Sequence, residues 1–210
     1  MHALNDIITN LGLIGIVVVI FIESGFPFGF FLPGDTLLFA AGLLAAKGNF
    51  SIGLAIFAIF AANFAGVTIG YWSGKSLGKR WLKREDSLLF RHEYVEKATE
   101  FYEKHGGKAI ILGRFVPAVR SFVPIVAGVA DMPYRRLMFF NAIGAALWAT
   151  SVPLLGYFFG AWLEARGIDI EAIILPIITL IILVSFAAPI AHALHDPETR
   201  RRLFRKFGKK

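Results

Sequence analysis

The segment SGFPFGFFLPGD, residues 24–35, decides the fold because it places two prolines and three glycines inside an apolar region. Apolar runs of 12 and 11 residues flank it, at residues 11–22 and 36–46. A helix of about 12 residues is only about 18 Å long, whereas the hydrocarbon core of a bilayer is roughly 30 Å thick. Half-length helices around a Pro/Gly break are typical of re-entrant hairpins, so residues 11–46 are predicted to form one. One long kinked helix is the alternative interpretation.

A second segment has the same character. Residues 107–131, GKAIILGRFVPAVRSFVPIVAGVAD, carry two arginines and two prolines within an otherwise apolar stretch. Proline cannot continue the helical hydrogen-bond ladder, and a charge is costly in hydrocarbon. A second re-entrant hairpin is therefore predicted over residues 107–131.

Three further stretches are long enough to cross a bilayer, which takes about 20 apolar residues. They are residues 52–72, 137–163 and 172–194. The composition agrees, because 56% of the residues are hydrophobic and 18% are charged, whereas soluble domains average about 45–50% and about 25%. The chain is therefore predicted to be an all-α integral membrane protein with one membrane domain over residues 1–199.

The net charge of +7 arises in the C-terminal tail. Residues 200–210 hold seven basic and no acidic residues, so the rest of the chain is neutral. A basic segment directly after a membrane span is typical of the cytoplasmic side and is attracted to anionic lipids. We therefore expect a cytoplasmic C-terminus, anionic membrane lipids as partners of the tail, and no nucleic acid. Residues 75–104 are predicted to form a cytoplasmic amphipathic helix on the membrane surface.

The chain also repeats weakly at an offset of 84–86 residues. Phe31-Leu32-Pro33 is matched by Phe115-Val116-Pro117, and Ala41-Gly42 is matched by Ala127-Gly128. Each unit is a hairpin followed by a spanning helix, and the two spanning helices are predicted to run in opposite directions. Such inverted repeats are typical of secondary transporters, whose site lies where the repeats meet. Chance similarity within a low-diversity apolar sequence is the alternative.

Four charged residues next to the two breaks are the candidate functional residues: Glu23, Asp35, Arg114 and Arg120. A charge inside a bilayer costs at least ~2.5–3.5 kcal/mol, which makes each one a functional candidate by default. The planar guanidinium group suits phosphate oxygens, so the arginines are predicted to bind a phosphate headgroup. The carboxylates would repel that anion when ionised, so they are predicted to couple proton uptake to its binding. Purely structural pairing of the four charges is the alternative.

The hairpin breaks are expected to support that site. Pro33 and Gly34 mark the start of one half-helix, and Pro117 marks the start of another. Helix N-termini present free backbone N–H groups and the positive end of the helix dipole, which favour a bound anion. Pro124 is assigned to the second break as well.

The residues next to both breaks resemble the two signatures of the DedA family. The first spans Phe21 to Asp35, and the second begins with GRFVPAVR at residues 113–120. The second continues with further matching residues, namely Pro124, Ala127-Gly128, Met132, Asn141, Gly144-Ala145 and Trp148. The resemblance covers about residues 10–165, the VTT-type domain.

This resemblance implies a bacterial inner-membrane protein with two facing re-entrant hairpins. It implies translocation of lipid-linked phosphate, notably the recycling of undecaprenyl phosphate, and a link to the proton-motive force. The family's functional acidic pair corresponds to Glu23 and Asp35, and its arginine pair corresponds to Arg114 and Arg120. Distant eukaryotic relatives are lipid scramblases.

Two other functions fit the same residues, namely a proton/ion antiporter and a non-selective phospholipid scramblase. An enzyme is not expected, because Asp35 has no second intramembrane aspartate of the kind that an aspartyl protease needs. The absence of cysteine excludes thiol catalysis and Cys-based zinc sites. No metal site and no cofactor are expected, and self-association into a homo-oligomer is left open.

Overall fold

The computed structural model describes residues 2–26, 29, 32–81 and 107–168. These residues contain no β-strand and form six helices: α1 (His2–Gly25), α2 (Gly34–Ala46), α3 (Ile52–Trp81), α4 (Gly107–Gly113), α5 (Pro117–Val129) and α6 (Tyr134–Glu164). The all-helical class is therefore confirmed over this part of the chain. The predicted surface helix beyond residue 81, the predicted span at residues 172–194 and the basic tail lie outside the described residues.

Two helices in the described part of the chain are long and apolar enough to cross a membrane. They are Ile52–Ser76 within α3 and the whole of α6, with 25 and 31 residues. Both correspond to predicted spans, but α3 continues to Trp81 instead of ending at residue 72. Its last turns contain Lys and Arg, which are good helix formers, and no proline interrupts them. Residues 75–81 therefore extend α3 and do not begin a separate surface helix.

The first Pro/Gly segment interrupts the helical structure where the sequence predicts a break. α1 ends at Gly25, and α2 begins at Gly34 directly after Pro33. The fixed φ angle of proline and its missing N–H suit the entrance to a helix. α1 begins at His2 and not near residue 11, so this helix is longer than predicted. Its apolar part is only Gly12–Gly25.

The second break separates a short helix from a longer one. α4 ends at Gly113, and α5 begins at Pro117. Pro124 lies inside α5 without ending it, where it leaves one backbone carbonyl without its helical N–H partner. A Cβ atom on Gly70 of α3 would lie 3.2 Å from Cβ of Pro124, so the proline ring packs where α3 has no side chain.

The long helices α3 and α6 run antiparallel through the core. Ile59 of α3 shares one buried cluster with Trp148 of α6, and Val67 of α3 shares another with Leu137. Later positions on α3 therefore meet earlier positions on α6. The helices on either side of the two breaks pack around this antiparallel pair.

The helix that follows each break packs on the long helix from the other half of the chain, where the halves are α1 to α3 and α4 to α6. α2 lies along α6, and α5 lies along α3. A Cβ atom at Gly42 would collide with the backbone of Pro153, and one at Gly128 would collide with the backbone of Tyr71. Gly42 and Gly128 are 86 residues apart, which is within the offset of the sequence repeat. Because small residues let helix backbones approach closely, both interfaces depend on glycines at matching positions.

α2 and α5 end in the same backbone turn. After α2, Gly48 has a φ of 80° and its N–H donates to the carbonyl of Ala45 at 3.0 Å. After α5, Asp131 has a φ of 55° and its N–H donates to the carbonyl of Gly128 at 3.3 Å. In both turns the following N–H reaches back five residues, which completes a Schellman motif. The left-handed position holds the usual glycine in one half and an aspartate in the other.

Candidate functional site

The charged residues predicted from the sequence meet where the two breaks come together. Arg120 lies at the centre, where its Nη2 donates to Glu23 Oε1 and its Nη1 donates to Asp35 Oδ1 at 2.6 Å. Glu23 and Arg120 are buried, whereas the side chain of Asp35 is 44% exposed. One guanidinium group therefore joins the end of α1, the start of α2 and the start of α5.

Helix dipoles explain part of this pairing. Glu23 lies in the last turn of α1 and Arg120 lies in the first turn of α5. A negative charge is unfavourable at a helix C-terminus, and a positive charge is unfavourable at an N-terminus. Each charge offsets the other's unfavourable position, whereas Asp35 in the first turn of α2 is already well placed. The pairing therefore stabilises the contact between the two breaks.

Gly34 makes room for the buried carboxylate. A Cβ atom at this position would overlap Oε2 of Glu23 and lie 3.0 Å from Cδ1 of Ile20. The carboxyl group thus packs directly against the first residue of α2. Any larger residue at position 34 would displace Glu23 from Arg120.

Arg114 follows α4 and is also buried. Its Nη1 donates to Oδ1 of Asn141, a neutral amide on α6. Within the described residues, no carboxylate forms an ion pair with Arg114. Gly144 gives it space, since a Cβ atom there would lie 3.3 Å from Cδ of Arg114. Among the described residues, Arg114 is therefore a buried positive charge with no ion-paired acidic side chain.

Trp148 of α6 joins the two arginines. The guanidinium carbon of Arg120 lies 4.7 Å from the centroid of its ring, and that of Arg114 lies 5.7 Å away. Its indole N–H donates to Oδ1 of Asp35 at 2.7 Å. In the sequence, Trp148 matches only the family signature, and no pattern there predicts a place for it in the site. Nothing in the local sequence indicates which way this tryptophan faces.

Unused hydrogen-bonding capacity remains around this cluster. Four buried polar atoms there have no partner in the described part of the chain: Glu23 Oε2, Arg114 Nε, Arg120 Nε and Asn141 Nδ2. Three of the four are donors. Leaving such groups unpaired costs about 1–3 kcal/mol each, so an anion with several acceptor oxygens suits the cluster.

A neutral pair lies next to the first break. Asn63 of α3 donates through Nδ2 to Oγ of Ser24 at 2.7 Å, and both residues are buried. This is a hydrogen bond between α1 and α3, as intramembrane amides commonly make. It lies outside the network of the arginines and carboxylates.

The predicted prolines shape the helices around the site. Pro33 and Pro117 stand at the entrances of α2 and α5, and Pro124 packs on α3. Among the described residues, His, Asp and Glu side chains form no group of three that would hold a metal ion.

Comparison with known proteins gives the chain its family. The sequence matches the VTT domain over residues 32–158. Protein DedA of Escherichia coli K12 is 42% identical over 145 residues, which is 68% of this chain and 66% of that protein. Membrane protein ML0287 of Mycobacterium leprae is 38% identical over 172 residues, or 82% and 77% of the two chains. Inner membrane protein YqjA of Escherichia coli K12 is 34% identical over 161 residues, or 74% and 73%.

The chain thus spans just under two thirds of the length of Protein DedA. No solved structure matches it. The VTT match covers more than half of the chain and includes Asp35, Arg114, Arg120 and Trp148. The chain therefore belongs to the DedA family of membrane proteins and carries the VTT domain of that family.

Proposed function

We propose that the protein translocates a lipid-linked phosphate, with undecaprenyl phosphate as its substrate. The observation that carries this proposal is Arg114, a buried guanidinium with no carboxylate partner among the described residues. A buried unpaired cation is expensive unless it serves a ligand. A phosphate group offers the negative charge and the acceptor oxygens that Arg114, Arg120 and Asn141 leave unpaired.

Proton coupling follows from the position of Arg120 in this proposal. Its guanidinium is engaged by two carboxylates, Glu23 and Asp35, which compete with an incoming phosphate. Protonation of one carboxylate weakens that competition and frees donors for the phosphate. Of the two carboxylates, Asp35 is partly exposed and Glu23 is buried.

We further propose that each half is a re-entrant hairpin followed by a spanning helix, and that the halves are inverted repeats. The antiparallel direction of α3 and α6 supports this proposal. The packing of α2 on α6 and of α5 on α3, each on the long helix of the other half, supports it too. In this arrangement the charged cluster lies near the bilayer midplane, where transporters with inverted repeats bind their substrates. We also propose a cytoplasmic C-terminus, on the basic residues of the tail, and we assign no enzymatic step.

The test is transport of labelled undecaprenyl phosphate in proteoliposomes, with and without an imposed pH gradient. Wild-type protein is expected to move the lipid, faster with the gradient. Arg114→Gln is expected to reduce the rate at least tenfold with little loss of stability, because it breaks no ion pair. The matched control is Arg166→Gln, which removes an exposed arginine at the far end of α6.

Three outcomes would overturn the proposal. Transport at the wild-type rate by the Arg114→Gln protein would show that the unpaired arginine is not the phosphate site. Proton flux that is driven by an ion gradient in neutral-lipid vesicles would favour the antiporter. Equal movement of uncharged and phosphorylated lipids would favour the non-selective scramblase.

A further inference from the structure

We infer that Trp148 is a positioning residue that holds both phosphate-binding arginines and one competing carboxylate. The inference rests on the proposed function, since it assigns Trp148 a task at the same site. Trp148 is 2% exposed and lies on α6, while the arginines belong to the second break and Asp35 belongs to the first. Its indole therefore contacts Arg114, Arg120 and Asp35 together.

The face of the indole ring contacts the two positive charges. Both guanidinium carbons lie within the ~6 Å at which cations are attracted to an aromatic ring, at 4.7 Å and 5.7 Å from the centroid. Two like charges brought close together repel each other. The negative face of the ring lies next to both and offsets part of this repulsion without occupying their hydrogen-bond donors. In the described part of the chain, Arg114 Nε and Arg120 Nε accordingly have no partner and remain available to phosphate oxygens.

The edge of the same ring binds the carboxylate of Asp35. The indole N–H and Nη1 of Arg120 both donate to the same atom, Oδ1 of Asp35. When a phosphate takes the place of Asp35 on Arg120, the indole N–H is still bonded to Asp35. Trp148 therefore keeps the carboxylate beside the site during the exchange, ready to return when the phosphate leaves.

Two substitutions separate these contributions. Trp148→Phe keeps an aromatic face and removes the N–H, whereas Trp148→Leu removes both. Trp162→Phe is the matched control, because Trp162 is on the same helix and also stacks on an arginine, Arg166, but is 49% exposed. Each protein is checked first for its unfolding temperature in detergent.

The measurements are equilibrium binding of a labelled short-chain polyprenyl phosphate to the purified protein, and its transport in proteoliposomes. We expect Trp148→Leu to weaken binding about tenfold, because both arginines lose the ring. We expect Trp148→Phe to bind within about threefold of wild type but to transport several-fold more slowly, because Asp35 loses its second donor. Trp162→Phe should match wild type in both assays.

The possible results distinguish the two proposals. If wild-type protein binds and transports the lipid phosphate but Trp148→Leu binds it equally well, Trp148 is only a packing residue and this inference fails alone. Equal weakening of binding by Phe and Leu would also overturn it, since the ring face would then contribute nothing. If wild-type protein binds no lipid phosphate, the proposed function and this inference both fail.

Discussion

The two breaks of the chain share a backbone design but carry opposite charges. The first break provides two acids, Glu23 and Asp35, and the amide of Asn63 nearby bonds a neutral serine. The second break provides two arginines, and the amide of Asn141 bonds one of them. The helices that follow the breaks end in the same turn and pack through glycines at matching positions. The packing is thus duplicated, while the chemistry is divided between the halves.

This division means that neither half can bury its charges alone. Without the other half, Glu23 at the first break or Arg120 at the second would be an unpaired buried charge, which is very costly. Assembly of the halves through α2 on α6 and α5 on α3 brings both sets to one place. The candidate site is therefore a product of assembly, and substitutions can test which part of it is packing and which part is chemistry.

The largest expected effect is the loss of the arginine that joins the halves. Arg120→Ala leaves Glu23 and Asp35 without their cation and should destabilise the protein by about 3–5 kcal/mol. Thermal unfolding of the purified protein in detergent measures this. Adding Glu23→Gln to Arg120→Ala should recover part of the stability, because one fewer charge is left unpaired.

The same measurement on Arg114→Ala is the comparison within the second break. Arg114 has no carboxylate partner in the described residues, so its removal should affect stability much less than the loss of Arg120. Equal loss of stability in the two variants would contradict the distinction between a joining arginine and a ligand-binding arginine.

The next effect concerns the packing that the halves share. Gly42→Ala and Gly128→Ala each place a Cβ atom against the backbone of a long helix, and overpacking of this kind costs about 1–3 kcal/mol. The two losses should be similar, because the contacts are equivalent. Gly15→Ala is the control: no atom lies within 4 Å of its added Cβ, and alanine in a helix should stabilise by about 0.5–1 kcal/mol. Strongly unequal losses at positions 42 and 128 would show that the interfaces are not equivalent.

The sequence predicts the shared architecture well, because it is encoded locally. Prolines and glycines at residues 24–35 and 107–131 mark the breaks, and uninterrupted apolar runs mark α3 and α6. Helix ends are predicted less well where polarity alone is used, since α1 begins at His2 and α3 continues to Trp81. A polar residue does not end a helix unless it caps or breaks it.

The pairing within the site is encoded much less locally. The four charges are evident in the sequence, but two acids and two arginines can pair in several ways. In the structure, both carboxylates bind Arg120. That outcome depends on the rotation of α5 and on the space that Gly34 leaves. The position of Trp148 depends in the same way on how α6 is rotated against both breaks, for which a single sequence gives no signal.

A smaller effect separates the amide that bonds a serine from the amide that bonds an arginine. Asn63→Ala removes one interhelical hydrogen bond, which averages about 0.6 kcal/mol in membrane proteins and reaches about 1.7. Transport should be retained, because this pair lies outside the charged network. Asn141→Ala should instead reduce transport strongly, since Arg114 loses the side chain that orients it. Loss of transport in both variants would place the Ser24–Asn63 pair in the site as well.

The smallest effect concerns the turns that end α2 and α5. Asn tolerates a left-handed backbone, so Gly48→Asn and Asp131→Asn should each change the free energy of unfolding by no more than about 0.5 kcal/mol. The ion pair of Asp131 with Lys75, at 3.6 Å, is lost in the second variant, but both side chains are more than 40% exposed. Gly48→Val and Asp131→Val should each cost about 1–2 kcal/mol, because a β-branched residue resists this conformation. If Asp131→Asn were as damaging as Asp131→Val, the charge of Asp131 and not its backbone conformation would stabilise the end of α5. The two halves of the chain would then differ in their turns, as they differ in the charges of the site.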